Sequence, residues 1–191
     1  MFSPEAFFPV LQRVASLLQK LGVRFHLTGG LVSVYYAEPR LTQDADLVVD
    51  PQQLQACLEE FLVALEPLDW LMDAQVIRDA VSRGRMFQLI DVQDCVKVDI
   101  YPRELIPGEL GRSLIVNLTS TLKFPIAAFP DVVVSKLIWI SKGSHKSRRD
   151  VRQLWLRCGM ADEDTIRGYA AQLKLEDLLS EVLNESDEIE S

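Results

Sequence analysis

Residues 28 to 50 read TGGLVSVYYAEPRLTQDADLVVD, and the alternation at their acidic end limits what this stretch can become. Side chains two apart on a β-strand share a face. On a strand from Ala45 to Val49, Asp44 and Asp46 therefore project together at its start, while Ala45 and Leu47 face the other way. An apolar strand, Arg24 to Leu27, runs into Thr28-Gly29-Gly30 ahead of them. A short helix from Leu31 to Ala37 follows and is ended by Pro39. Glycines between a strand and a helix let backbone N–H groups approach a phosphate, where the helix N-terminus favours negative charge. Taken singly, Gly-Gly is also a common turn and Asp-x-Asp a solvated strand face.

The flanking sequence predicts an α+β protein. A helix from Pro4 to Leu21 is capped by Ser3 and stopped by Gly22, with Phe7, Leu11, Val14, Leu18 and Leu21 on one face. Asp50-Pro51 starts a helix running to about Leu65, and Asp73 to Arg83 forms another, closed by Gly84. Met86 to Val92 and Cys95 to Tyr101 read as strands joined at Gln93-Asp94, and Ile115 to Leu118 as a further short strand. After Pro130 helices are predicted over 131–142, 148–158, 162–173 and 175–184, with Gly143 and Gly159 as stops. This order predicts an α+β core, a mixed sheet with flanking helices and the N-terminal helix, in residues 1–128. A helical part packed on that core follows in 129–184, and 185–191 form an acidic, disordered tail.

In VKVDIY, Lys97, Asp99 and Tyr101 share one face and Val96, Val98 and Ile100 the other. If this strand neighbours Asp44 and Asp46, Asp99 joins them. Three crowded carboxylates repel one another and raise their own pKa values unless a cation supplies the countercharge. Mg²⁺ takes oxygen ligands and keeps positions for triphosphate oxygens, and Mn²⁺ is the alternative ion. Such ions activate an attacking hydroxyl and stabilise leaving pyrophosphate.

Charge narrows the ligand. The net charge of −8 is uneven, because seven of the 28 acids fall in residues 175–191, leaving 21 against 20 Lys and Arg. From Lys136 to Arg157 the balance reverses, with seven bases and Asp150 as the lone acid. A basic segment on a neutral body suits an anionic ligand at one place, or else a solvated helix face.

The ordering of these features resembles the nucleotidyltransferase superfamily, the polymerase-beta-like fold. Gly29-Gly30 matches its glycine turn, Arg40-x-Thr42-x-Asp44-x-Asp46 its approach to the acids, and Asp99 its third carboxylate. SKLIWISKGSHKSRRDVRQL, residues 135–154, is similar to the Lys…Arg-Asp segment of the small bacterial AbiEii-like branch, which includes toxins of abortive-infection and toxin–antitoxin systems. The resemblance implies metal ligation by Asp44, Asp46 and Asp99. It implies nucleotide contacts from Thr28, Gly29, Gly30, Ser33, Arg40, Thr42 and Lys136, and catalytic roles for the three acids with Lys136 and Asp150. Local readings compete for the last two: Lys136 fits a polar stripe with Asp131, Ser135 and Lys142, and Asp150 fits a capping box with Ser147. His145, Arg148 and Arg149 either grip phosphate or belong to a solvated loop. His26 in its apolar strand reads as structural, and Tyr35 and Tyr36 as core.

The function expected is Mg²⁺-dependent transfer of a nucleoside monophosphate from an NTP to a hydroxyl of RNA, a protein or a small molecule, in a toxin-like setting with an antitoxin-like partner. The alternatives are a catalytically inactive nucleotide-binding or protein-interaction module of the same fold, and a metal-dependent phosphohydrolase. Cys57, Cys95 and Cys158 form no CxxC pair, Met1 to Glu5 lacks the basic start of a signal peptide, and no apolar run nears the roughly 20 residues of a membrane span. A cytoplasmic location is expected.

Overall fold

The computed structural model describes residues 4–38, 41–120 and 122–185. Ser3, Pro39 and Arg40 lie outside them, as do residues 186–191 of the acidic tail. The chain forms two compact units, Met1–Val32 with Arg40–Ala127, and Ser33–Pro39 with Ala128–Ser191.

The first unit opens with a 3-10 turn, Pro4–Phe7, and helix α1, Phe8–Lys20. Pro9 supplies no backbone donor, so the start predicted as α-helix is a 3-10 turn instead. Strand β1, Phe25–Thr28, leads directly into α2, Gly29–Tyr36, whose first residues are the two glycines. Strand β2 spans Asp44–Val49. Asp50 then caps α3, Pro51–Ala56, accepting from Gln52 N and Gln53 N at 3.0 Å each. The single helix expected to reach Leu65 is two: Cys57, at φ −118° and ψ 24°, separates α3 from α4, Leu58–Leu65. Next come β3, Trp70–Leu71, and α5, Ala74–Ser82, capped by Asp73. Strands β4, Phe87–Asp91, and β5, Val96–Tyr101, form a hairpin. A 3-10 turn, Glu109–Arg112, precedes β6, Leu114–Asn117, and β7, Lys123–Ile126.

The seven strands make one mixed sheet in the order β3-β4-β5-β2-β1-β7-β6. Its middle is the parallel pair β2 and β5, with β1 antiparallel to β2 on one side and β4 antiparallel to β5 on the other. Residues Ala45, Leu47, Val98, Ile100 and Leu89 are all fully buried on one face. Helix α4 covers that face, with Phe61 meeting Phe87 edge-on at 6.3 Å between ring centres. The other face carries the polar residues of β2 and β5.

The second unit is helical: α6, Phe129–Ser141, α7, Lys146–Trp155, α8, Met160–Gln172, and α9, Glu176–Asn184. Helix α6 touches α7, α8 and α9 and buries Val132, Val133, Val134, Leu137 and Ile140. Gly143, at φ +95°, does end a helix, but Gly159 does not: at φ −88° it caps the start of α8. Among the described residues no helix is long and apolar enough to cross a membrane.

Candidate active site

Register builds the site in the first unit. In the parallel β2–β5 ladder Asp46 lies opposite Asp99 and Asp44 opposite Lys97. Residues directly opposite share a sheet face, so Asp44, Asp46, Lys97, Asp99 and Tyr101 all stand on the one turned away from α4. Thr28, at the end of β1, is opposite Asp46 on the remaining side and is buried.

Lys97 was not singled out by the sequence, though the alternation in VKVDIY put it on the face of Asp99. Its Nζ lies 3.1 Å from Asp44 Oδ2 and 3.7 Å from Asp99 Oδ2. Burial opposes its charge, yet the bond to Asp44 and the fields of Asp99 and Asp46 outweigh burial and hold its pKa above the ordinary lysine value. Asp99 is pushed the opposite way from most carboxylates. Burial raises its pKa, Asp44 adds to the rise, and Lys97 and a hydrogen bond from Gln88 offset part of it. Asp99 Oδ1 is buried with no hydrogen-bond partner. Such an orphaned oxygen costs free energy unless a donor or cation meets it.

Tyr101 is the second residue that the sequence did not mark. Its hydroxyl donates to Asp46 Oδ1 at 3.3 Å, and burial, followed by the charges of Asp46 and Asp99, keeps the phenol protonated well beyond its usual range. The other Asp46 oxygen lies against Gly29. A Cβ built on Gly29 would come within 2.0 Å of Asp46 Oδ2, and Gly29 sits at φ +68°. This glycine is therefore required twice, by backbone conformation and by space. Gly29 and the buried Gly30 form the first turn of α2, whose positive dipole end favours the adjacent carboxylate or a phosphate.

The other expected residues divide. Thr42 is buried and donates its hydroxyl to the Asp44 carbonyl at 3.2 Å, fixing the start of β2. Ser33 is buried in the second unit, and Arg40 lies outside the described residues. Lys136 belongs to no solvent-facing stripe, because Asp131 and Ser135 are buried with it. Its Nζ meets Asp150 Oδ2 at 2.8 Å, the side chains being 8% and 11% exposed. The capping box is also absent: Asp150 holds Lys136, while Ser147 Oγ meets Ser144 Oγ at 2.9 Å.

The basic segment turns to acids of its own unit. Arg148 bonds Glu181 and Glu185, Arg152 bonds Glu185 at 2.5 Å, and Arg149 lies 3.7 Å from Glu38. Glu185, assigned by sequence to the acidic tail, is thus ion-paired. Tyr36 packs edge-on against Phe129 at 5.3 Å, and burial pushes its pKa up to about 12, whereas Tyr35 is half exposed. His26 is fully buried in the first unit, with Nδ1 2.8 Å from Ser113 Oγ and Nε2 3.6 Å from Glu109 Oε2, which pins the loop before β6 to β1.

Among the described residues no group of three His, Cys, Asp or Glu side chains is gathered closely enough to hold a metal ion. Lys97 bridges Asp44 and Asp99 instead. The donor chemistry nevertheless suits a hard cation: the carboxylates offer only oxygen, and Asp99 Oδ1 lacks a partner.

The family described as "Nucleotidyl transferase AbiEii toxin, Type IV TA system" matches residues 11–173. No curated protein sequence matches the chain. The fold is similar to an antigenic nucleotidyltransferase-like protein from Paracoccidioides brasiliensis, with a TM-score of 0.55 and 16% identity, covering 95% of this chain and 94% of that one. It is also similar to the solution structure of the antibiotic-resistance factor ANT(2'')-Ia, with a TM-score of 0.59 and 11% identity, covering 91% and 95%. At these identities the likeness concerns the fold.

Proposed function

The chain belongs to the AbiEii family of nucleotidyltransferases, and on that premise we propose that it transfers a nucleoside monophosphate from an NTP to a hydroxyl acceptor with the help of Mg²⁺. The observation that carries this reading is the register of β2 and β5, which sets Asp46 beside Asp99 on the face that bears Asp44. Asp44, Asp46 and Asp99 are the residues that would hold the ion. When bound, it would neutralise phosphate charge and lower the pKa of the attacking hydroxyl.

The remaining steps belong to the chain's own groups. The first turn of α2, at Gly29 and Gly30, receives triphosphate oxygens on its backbone N–H groups. Tyr101 holds Asp46 through Oδ1. Asp99, on the face shared with Asp44 and Asp46, orients the acceptor hydroxyl and accepts its proton. The acceptor oxygen bonds to the α-phosphorus as the bond to the bridging oxygen breaks and pyrophosphate departs. Lys136 and Asp150, to which the family resemblance gives functional roles, form an ion pair within the second unit.

The family's description as a toxin favours a macromolecular hydroxyl, on RNA or a protein, over a small molecule, and an antitoxin as the partner. The test is incubation with each labelled NTP and Mg²⁺, with total RNA and with protein fractions as acceptors. Label transfer with stoichiometric pyrophosphate release is expected. Orthophosphate release without transfer would instead identify a phosphohydrolase.

A further inference from the structure

Lys97 has no part in the reaction as described, yet it occupies the centre of the carboxylate face. Its position is determined by strand geometry: it lies two residues before Asp99 on β5 and directly opposite Asp44 on β2, which points its amine between the two acids. The contacts are 3.1 Å to Asp44 and 3.7 Å to Asp99. Both carboxylate oxygens it reaches are Oδ2 atoms, leaving the buried Asp99 Oδ1 without a partner. One ammonium thus meets both Asp44 and Asp99. It satisfies only part of their hydrogen-bonding capacity.

From this arrangement we propose that Lys97 is a tethered counter-cation that competes with the divalent ion for the carboxylates, and so sets the affinity of the empty enzyme for metal. The inference rests on the reading of Asp44, Asp46 and Asp99 as metal ligands. Without a metal, the ammonium relieves the repulsion among the acids and keeps the face folded. Metal entry exchanges one cation for another: the bonds from Nζ to Asp44 and Asp99 break, oxygen–metal bonds form, and the ammonium turns to solvent. Lys97 is about one-third exposed, so its four-carbon stem can make that turn without disturbing the core. The enzyme therefore binds metal weakly by itself. Nucleotide phosphates, which offer the displaced ammonium a new anionic partner, draw metal in with them. Lys97 is in this sense a positioning residue for the carboxylates.

The experiment measures Mn²⁺ binding to the full chain without nucleotide, by the loss of the free-ion paramagnetic resonance signal and by the metal-dependent rise in melting temperature. Lys97→Met is expected to bind Mn²⁺ roughly two- to fivefold more tightly than wild type, the scale of a partly exposed ion pair surrendered. Its metal-free melting temperature falls, and its Mn²⁺-dependent gain grows. Lys97→Arg, which keeps the charge, binds Mn²⁺ no more tightly than wild type. Equal or weaker Mn²⁺ binding by Lys97→Met, with Asp99→Asn still losing it, overturns the role of Lys97 and leaves the metal site standing. Absence of Mn²⁺ binding at millimolar concentration from wild type and Lys97→Met alike overturns the metal site, and this inference with it.

Discussion

The carboxylate of Asp46 fills the space in which a side chain on Gly29 would begin: a methyl group there would lie 2.0 Å from Oδ2. The strand that carries the acid and the glycine that opens α2 are thus fitted to each other at one point. Gly29→Ala is expected to cost about 1–3 kcal/mol from the left-handed backbone alone, and more from the clash. Urea denaturation gives the first quantity. NTP binding should fall as Asp46 is forced aside, and a stable, fully binding Gly29→Ala protein would remove this contact from the site.

Asp46→Asn separates charge from shape. The amide oxygen can still accept from Tyr101, while one of three neighbouring negative charges disappears. The metal-free melting temperature should stay level or rise. Mg²⁺-dependent NTP binding should be lost. A calorimetric titration showing unchanged Mg²⁺-dependent affinity would refute the assignment.

Lys136 and Asp150 form a buried pair, and that changes what a substitution there does. Lys136→Met leaves a carboxylate buried without its cation, which costs about 3–5 kcal/mol. The double variant Lys136→Met with Asp150→Asn should regain most of that loss, because no uncompensated charge remains. A double-mutant cycle by chemical denaturation reads the coupling directly. Additive effects of the two changes would show that the pair contributes no net interaction.

Asp50 supplies a pH signature away from the site. Burial tends to raise its pKa, but the backbone N–H groups of Gln53 and Gln52 and the guanidinium of Arg24 outweigh burial and lower it. A carboxylate depressed in the folded state contributes stability above its unfolded value, near 4, and loses that contribution as pH falls through its lower folded value. Asp50→Ala should therefore cost about 1 kcal/mol or more at pH 7, the usual scale of an N-cap. The gap from wild type should narrow below about pH 4. Melting curves from pH 3 to 7 test this, and a gap of constant size would exclude the titration.

The amino-acid sequence by itself determined the local periodicities and the stops. Alternation put Asp44 with Asp46 and Asp99 with Lys97 and Tyr101, and helical spacing placed Leu11, Val14 and Leu18 inward on α1, where they are buried, with Phe7 buried in the turn before it and Leu21 half-buried at its end. The Asp50 and Asp73 caps and the turn at Gly22 were legible because each acts within a few residues. Weak local signals failed. Strand β3 has two residues, and Pro125 masked β7, which tolerates it because its register with β1 is a single pair, Leu27 with Ile126. Capping and stripe patterns misplaced Asp150 and Lys136, since both are local signals and the Lys136–Asp150 pair links two helices. What only the tertiary structure decided is that β2 and β5 are neighbours in a register that sets Asp46 against Asp99, and that Lys97 reaches between the acids. A strand's alternation says which residues share a face. Which strand lies beside it, and at what offset, depends on core packing among residues far apart in the chain.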